Sequence, residues 1–213
     1  MKGWSSMDAD KDLELLQRWR DGDDAAGERL LARHFDAVCR FFRNKVGDAA
    51  PDLIQQTFLA CCESRDKIRD ESAFRSFLFG VARNVLLGHY KQRRAAAERF
   101  DPLAESVIDL GEPSVGSLLG RRQEETIILQ GLRALPLDQQ IVFELYYLEG
   151  LTARELGGIY GLTEPGMYGR LRKARLLLEA EIAQLTRSPE LRESTLSGLE
   201  DWAAAIREYL GKT

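Results

Sequence analysis

Cysteine is scarce. Three occur among 213 residues, Cys39, Cys61 and Cys62, an odd number with no paired spacing. That excludes a secreted disulfide framework and leaves three buried, small apolar side chains as the expectation. Histidine is scarcer: His34 and His89 alone give no zinc-ligand spacing, so neither metal nor cofactor is expected. There is no glycine-rich phosphate loop, no nucleophile elbow and no HExxH pattern. Acids are many, but no pair is set apart for acid–base work, so catalysis is not expected. Apolar runs such as VLL at 85–87 and AAAI at 203–206 fall far short of the ~20 residues that cross a bilayer. MKGWSSMDADKD at the start lacks the apolar stretch of a signal peptide. A cytoplasmic location without membrane insertion is therefore expected.

What is present is globular: 44% hydrophobic and 30% charged residues, in a length that suits one or two domains. The net charge of −4 argues weakly against a nucleic-acid partner, but its distribution does not. Residues 65–99 carry a net +5, flanked by −3 over 1–64 and −4 over 100–125. Residues 126–187 balance to zero yet hold a basic cluster, and 188–213 carry −2. Basic islands in an acidic chain fit local contact with nucleic acid.

Nearly every periodic stretch is helical. Leu13, Leu16 and Trp19, then Leu30, Leu31, Phe35, Val38 and Phe42, recur at three- and four-residue steps. Asp52 precedes LIQQTFLACCE, with Leu53, Ile54, Phe58 and Leu59 on one face. Ser72 is placed to cap AFRSFLFGVARNVLLGHYKQRR, whose apolar stripe runs through Phe74, Phe77, Leu78, Val81, Val85 and Leu86. No alternating strand pattern of useful length occurs. After Arg94, prolines, glycines and acids give the composition of a linker. Helical periodicity resumes near Arg121 and lasts to about Thr186. After Ser188-Pro189, residues 190–211 place Leu196, Leu199, Trp202, Ala203, Ile206 and Leu210 on one helical face. The predicted fold is all-α. A helical domain at 8–95, an acidic flexible linker at 96–122 and a helix-turn-helix domain at 123–186 are followed by an amphipathic extension at 187–213.

The sharpest motif lies at 151–175, LTARELGGIYGLTEPGMYGRLRKAR. Thr152 and Glu155 form a capping-box pattern for a helix from about Ala153 to Tyr160. Gly161 supplies the residue free to take positive φ at a tight turn. Thr163 caps a second helix, with Pro165 in its first turn. Leu156, Tyr160, Leu162, Met167 and Leu171 then face a shared core. This is the layout of a helix-turn-helix, whose second helix enters the major groove. Arg170, Arg172, Lys173 and Arg175 suit phosphate and base-edge contact there.

The stretch 135–175, with its Leu-Pro start, VFELYYLEGLT, REL helix and closing RLRKAR, resembles the promoter-reading domain of bacterial RNA polymerase sigma factors. DLIQQTFLACCE (52–63) resembles that family's polymerase-binding helix, and residues 73–94 its promoter-melting helix. Order and spacing match the small extracytoplasmic-function (ECF) group over about residues 10–186. The resemblance implies a transcription initiation factor, not an enzyme, with core RNA polymerase and promoter DNA as partners. Thr163, Glu164, Tyr168, Arg170, Arg172, Lys173 and Arg175 would read the upstream element as duplex. Arg83, Asn84, His89, Tyr90, Lys91, Arg93 and Arg94 would capture the separated downstream strand, which needs cations and stacking surfaces for unstacked bases. Asp48, Asp52, Leu53, Gln55, Gln56 and Phe58 would face polymerase. The linker would thread near the active-site channel.

The chain departs from the family in three places. Acids that usually precede the polymerase-binding helix are thinned to Asp48 and Asp52, with Gln56 replacing another. Losing about two such pairs weakens association by ~1–3 kcal/mol where they are partly desolvated. Some ECF groups with depleted acids are switched on by threonine phosphorylation, which makes Thr57 a candidate for a Ser/Thr kinase. Gly166, Tyr168 and Gly169 replace more usual Thr, Lys and Ser in the recognition helix. The extension beyond Thr186 offers a second route of control, and an anti-sigma protein a third. Two other readings fit parts of the sequence. One is a stand-alone helix-turn-helix regulator. The other is a purely protein-binding helical module, such as a sigma antagonist. The 52–94 block favours the sigma reading.

Overall fold

The computed structural model describes residues 6–68, 74–93, 100–108 and 123–186, with three isolated positions beyond. The helices are α1 (Ser6–Arg20), α2 (Asp24–Arg43), α3 (Ala50–Glu63), α4 (Phe74–Arg93), α5 (Gln123–Ala134), α6 (Leu137–Phe143), α7 (Ala153–Tyr160) and α8 (Glu164–Leu185). No strand occurs among the described residues, and none of their helices is long and apolar enough to cross a membrane.

Helices α1–α4 pack around Leu16, Trp19, Leu30, Phe41, Phe42, Phe79 and Leu86, all buried. Asp23 starts α2 by accepting the Ala26 amide, one of the donors a helix N-terminus leaves unmatched. α3 begins earlier than the pattern after Asp52 suggests. Pro51 sits in its first turn, where the missing N–H costs nothing, and Asp52 there complements the helix dipole. His34 and Asp12 are both buried and meet at 2.6 Å, beneath the tilted ring of Phe74. The proposed cap Ser72 and the extension at 187–213 lie outside the described residues, apart from Ser188, Pro189 and Glu193 in the extension.

Helices α5–α8 form the second bundle. Ile128, Leu132, Phe143, Leu148, Ala174, Leu178 and Ile182 make one apolar cluster. Leu137, Ile141, Leu145, Leu156, Met167 and Leu171 do not join it. They belong to the same cluster as the core of α1–α4. The two halves thus lie against one another, with every residue of α6 buried.

The linker expectation needs correction over its described part. Residues 100–108 are not a free tether. Val107 is fully buried, and Ser106 bridges Pro136. The Leu137 and Asp138 amides donate to the Glu105 and Pro102 carbonyls at 2.8 and 2.9 Å. These bonds satisfy two amides at the start of α6, so this piece of chain caps a helix.

Candidate nucleic-acid interface

The helix-turn-helix is built as its sequence requires. The Thr152 hydroxyl accepts the Glu155 amide, and the Glu155 carboxylate accepts the Thr152 amide at 2.7 Å. Gly161 stands at φ 64° and donates back to Gly157 O. Gly157 itself lies so close to the turn that an added Cβ would come within 2.6 Å of Leu162 O. Thr163 caps α8 through the Gly166 amide. Met167 and Leu171 fix the buried face of α8. Leu162, expected in the core, is 40% exposed.

The opposite face of α8 is open. Thr163, Glu164, Tyr168, Arg172 and Lys173 are exposed, Tyr168 by 52%. Arg175 is also exposed and bonds Glu179 one turn on at 2.9 Å. Arg170 is not on the open face. Its guanidinium bonds the carboxylate of Asp138, a residue 1% exposed. The sequence placed Arg170 among the DNA-contacting cations; as folded here, it is already engaged.

The strand-capturing set divides in the same way. Asn84, Lys91 and Arg93 are exposed on α4, and His89 is half-buried, its ring edge-on to Tyr90. Tyr90 is a correction: it is 1% exposed and its hydroxyl donates to Lys45 O, so it supports the core of α4 and offers no stacking face. Arg83 bonds the other oxygen of Asp138, at 2.7 and 3.1 Å. Both Arg83 and Arg170 lie 4.6 Å from the centre of the Tyr160 ring. Burial raises the Tyr160 phenol above its ordinary value, and nearby Asp138 adds to the rise. Arg94 lies outside the described residues.

Asp48, just before α3, and Asp52, Gln55 and Gln56 on it are exposed. Phe58 is half-buried and stacks on Phe35 at 5.9 Å, beside exposed Leu59. Two expectations fail here. Leu53 is 4% exposed and belongs to the core. Thr57 is fully buried, its hydroxyl donating to Leu53 O at 2.8 Å. As folded here that hydroxyl is shielded from a kinase, and a phosphate's charge would not be solvated there. Cys62 is exposed, against expectation; Cys39 and Cys61 are buried.

Sequence reasoning missed the residues that hold the halves together. Lys45 and Glu144 form a buried ion pair, and Glu144 also accepts from Asn44 and Gln140 at 2.9 and 2.8 Å. Arg40 grips Glu149 with two bonds of 2.8 Å. Arg75 donates to Glu149 O and lies 3.8 Å from Glu155. Arg133 donates to Asn44 O. In these ion pairs the cation comes from α2, its C-terminal flank or α4, and the acid from the second bundle. One signal was legible: Asp138-Gln139-Gln140 interrupts an apolar run. Polar residues inside such a run are buried with partners or mark a seam.

A helical chain with one basic, partly aromatic helix in its first half and a capped helix-turn-helix in its second defines a two-part DNA-reading protein. Comparison with known sequences makes this specific. Residues 30–96 match sigma-70 region 2, and residues 125–178 match sigma-70 region 4. The RNA polymerase sigma factor CarQ of Myxococcus xanthus is 32% identical over 184 residues, covering 79% of this chain and all of that protein. The ECF RNA polymerase sigma-E factor of Haemophilus influenzae is 26% identical, covering 82% and 96%. The chain belongs to the ECF group of RNA polymerase sigma factors. Its fold is similar to CnrH in complex with the cytosolic domain of CnrY (TM-score 0.61, 23% identity, 83% of this chain and 99% of that one). It is also similar to the sigma factor RpoE in complex with the anti-sigma factor NepR from Bartonella quintana (TM-score 0.55, 20% identity, 75% and 98%).

Proposed function

We propose that this sigma factor docks on core RNA polymerase through the exposed face of α3, reads the upstream promoter element as duplex through α8, and holds the separated downstream strand along α4. It acts in the cytoplasm, where polymerase is, and catalyses nothing itself. The observation that carries this reading is the open face of α8. Tyr168, Arg172 and Lys173 stand clear of the bundle on a helix whose entry is fixed by two capped turns. Cations on a rigid helix are what groove entry requires. On α4, Asn84 offers a donor and an acceptor to a base edge, and Lys91 and Arg93 offer charge to the backbone.

The working units are taken as 8–95, 96–122, 123–186 and 187–213. The last is proposed as a regulatory extension, on the strength of the apolar face that Trp202 and its neighbours give it. An antagonist protein of the kind named with the Bartonella quintana relative is a further proposed partner. The test is transcription in vitro with purified core polymerase over a pool of bacterial genomic DNA. Start sites should depend on the added chain and share an upstream and a downstream element. Polymerase that ignores the chain, while the chain still binds duplex alone, would instead favour a stand-alone regulator.

A further inference from the structure

Two glycines of the helix-turn-helix differ in what requires them. Gly157 is held by the fold, because a Cβ there would strike Leu162 O at 2.6 Å. Gly169 is not. It lies within α8, its φ is not positive, and a Cβ on it would meet nothing within 4 Å. Glycine is the poorest helix former short of proline, so the fold alone would gain from a side chain there. What a bare position serves is close approach by something outside the chain.

Gly169 adjoins Tyr168 on the open side of α8. Pro165, Tyr168, Gly169 and Arg172 recur there at three- and four-residue steps, all exposed, with Met167, Leu171 and Ala174 buried behind them. In a helix-turn-helix the N-terminal part of the second helix meets the base edges. From Gly161 to Gly169 that part holds no Arg, Lys, Asn or Gln. The bidentate donors to guanine and the amide pair to adenine are therefore missing where bases are read. The Thr163 hydroxyl already accepts the Gly166 amide. The Glu164 carboxylate can only accept, and nearby phosphates repel it. Tyr168 is what remains, its side chain standing out with the residue 52% exposed. The major groove offers a ring one apolar feature, the 5-methyl group of thymine.

We propose that Tyr168 sets which upstream sequence this chain accepts, by packing its ring on a thymine methyl, and that Gly169 lets the helix come close enough for the contact. Arg172 and Lys173, further along α8, supply phosphate contacts, which position the helix and are blind to sequence. The inference rests on the reading above, that α8 enters duplex DNA, and deepens it. At Tyr168 the element is selected by the methyl of thymine and not by the acceptors of guanine.

The test uses the full chain bound to core polymerase. The upstream element shared by the start sites on the genomic pool is rebuilt as a fluorescent duplex, with each thymine on either strand replaced in turn by deoxyuridine. That exchange removes one methyl group and leaves every hydrogen-bonding group in place. At one or two positions it should weaken capture of the duplex by about fourfold, the worth of one buried methyl. Tyr168→Phe should keep that sensitivity. Tyr168→Ala should lose it, binding thymine and deoxyuridine duplexes alike. Gly169→Ala should raise the Tm of the chain by about 2–4 °C and still weaken capture, opposite signs that a purely structural glycine would not give.

An element without thymine, or a deoxyuridine series with no loss at any position, overturns the proposal. So does a loss that persists unchanged in Tyr168→Ala, or one that vanishes in Tyr168→Phe and so assigns the reading to the hydroxyl. Unchanged capture by Gly169→Ala removes the close approach and overturns it too. If the start sites share an upstream element that ignores methyl groups, the Tyr168 inference fails and the reading of α8 stands. If they share no upstream element, both fall.

Discussion

Glu144→Ala is the sharpest test of the buried seam. Glu144 is 3% exposed and takes bonds from Lys45, Asn44 and Gln140, and its partner Lys45 is fully buried. Removing the carboxylate leaves an ammonium in a dry site, a change that costs about 3–5 kcal/mol. Lys45 has a way out, which sets a ceiling. Burial already pulls its ammonium below the ordinary 10.5. Once the opposing charge is gone, the group can shed its proton on folding. From an unfolded value of 10.5, neutralising it at pH 7 costs about 4.8 kcal/mol, because each pH unit is worth about 1.4 kcal/mol. At pH 9 the same step costs only about 2 kcal/mol.

The sign follows from proton counting. Between the depressed folded value and 10.5 the unfolded chain binds the extra proton, so the variant gains stability as pH rises. Urea unfolding of both proteins from pH 7 to 10 measures it. The difference between wild type and Glu144→Ala should shrink by up to about 1.4 kcal/mol per pH unit, until the wild-type ammonium, itself held below 10.5, starts to lose its proton and gains in step. The chain has one other escape, which is to part its halves and let Lys45 reach water. That would show as a split unfolding transition and a larger radius of gyration. A penalty under about 1 kcal/mol with the seam still closed, or one that ignores pH, would refute the reasoning.

Three further outcomes follow from particular contacts. Gly157→Ala gains about 1 kcal/mol of helix propensity but drives a Cβ to 2.6 Å from Leu162 O, an overlap with backbone that costs about 1–3 kcal/mol. A lower Tm and weaker duplex binding are expected, and a higher Tm would show that the turn yields freely. Arg172→Ala and Lys173→Ala, both on the open face of α8, should weaken duplex binding for all sequences alike if they meet phosphate. Each should flatten the log K against log salt slope by about 0.9; an unchanged slope puts them off the backbone. Of the three thiols, only exposed Cys62 should react promptly with an aromatic disulfide in the native chain, and simultaneous reaction of all three would contradict the packing. Burial pushes the Cys61 thiol up to about 12 from an ordinary 9.0. The unfolded chain therefore loses that proton first, and the site subtracts stability as pH climbs from 9 toward 12.

The helix-turn-helix was legible because its determinants are local. Thr152, Glu155, Gly161, Thr163 and Pro165 each act on the turn they occupy, and their spacing alone dictates where α7 ends and α8 begins. The recognition face was legible for the same reason, since Met167 and Leu171 mark its back. What failed was exposure at single positions. Leu53 and Tyr90 look equally fit for core or surface, because an apolar or amphipathic side chain on a helix is assigned by what packs over it. Thr57 reads as a hydroxyl in a polar patch, yet its α3 face is covered, and a threonine can satisfy itself by bonding the carbonyl four residues back. The seam was invisible for a different reason. Lys45 and Glu144 are 99 residues apart, and charge alone does not tell a solvated lysine from one buried against a distant carboxylate.

That seam is mixed in a way that bears on how it opens. Leu156, Met167 and Leu171 share an apolar cluster with α1–α4, so parting the halves exposes hydrocarbon to water. A purely apolar contact of this kind would be hard to reverse unaided. Here the apolar part is bordered by ion pairs, and each charge released on opening regains full hydration, which offsets much of the Coulomb energy given up. The pairs therefore add less to the strength of closure than to its register, since Arg40 can grip Glu149 with two parallel bonds in only one alignment. Opening still leaves the hydrocarbon uncovered, and a surface that covers it lowers the free energy of the open form. A protein partner can supply such a surface; DNA, a polyanion, supplies little of it. Duplex DNA alone should thus open the wild-type chain poorly, whereas core polymerase should open it well. Scattering from the wild-type chain with saturating duplex, and again with polymerase held on a bead to report duplex capture, distinguishes the two. Full expansion by duplex alone at physiological salt would place the barrier in the ion pairs and not in the apolar contact.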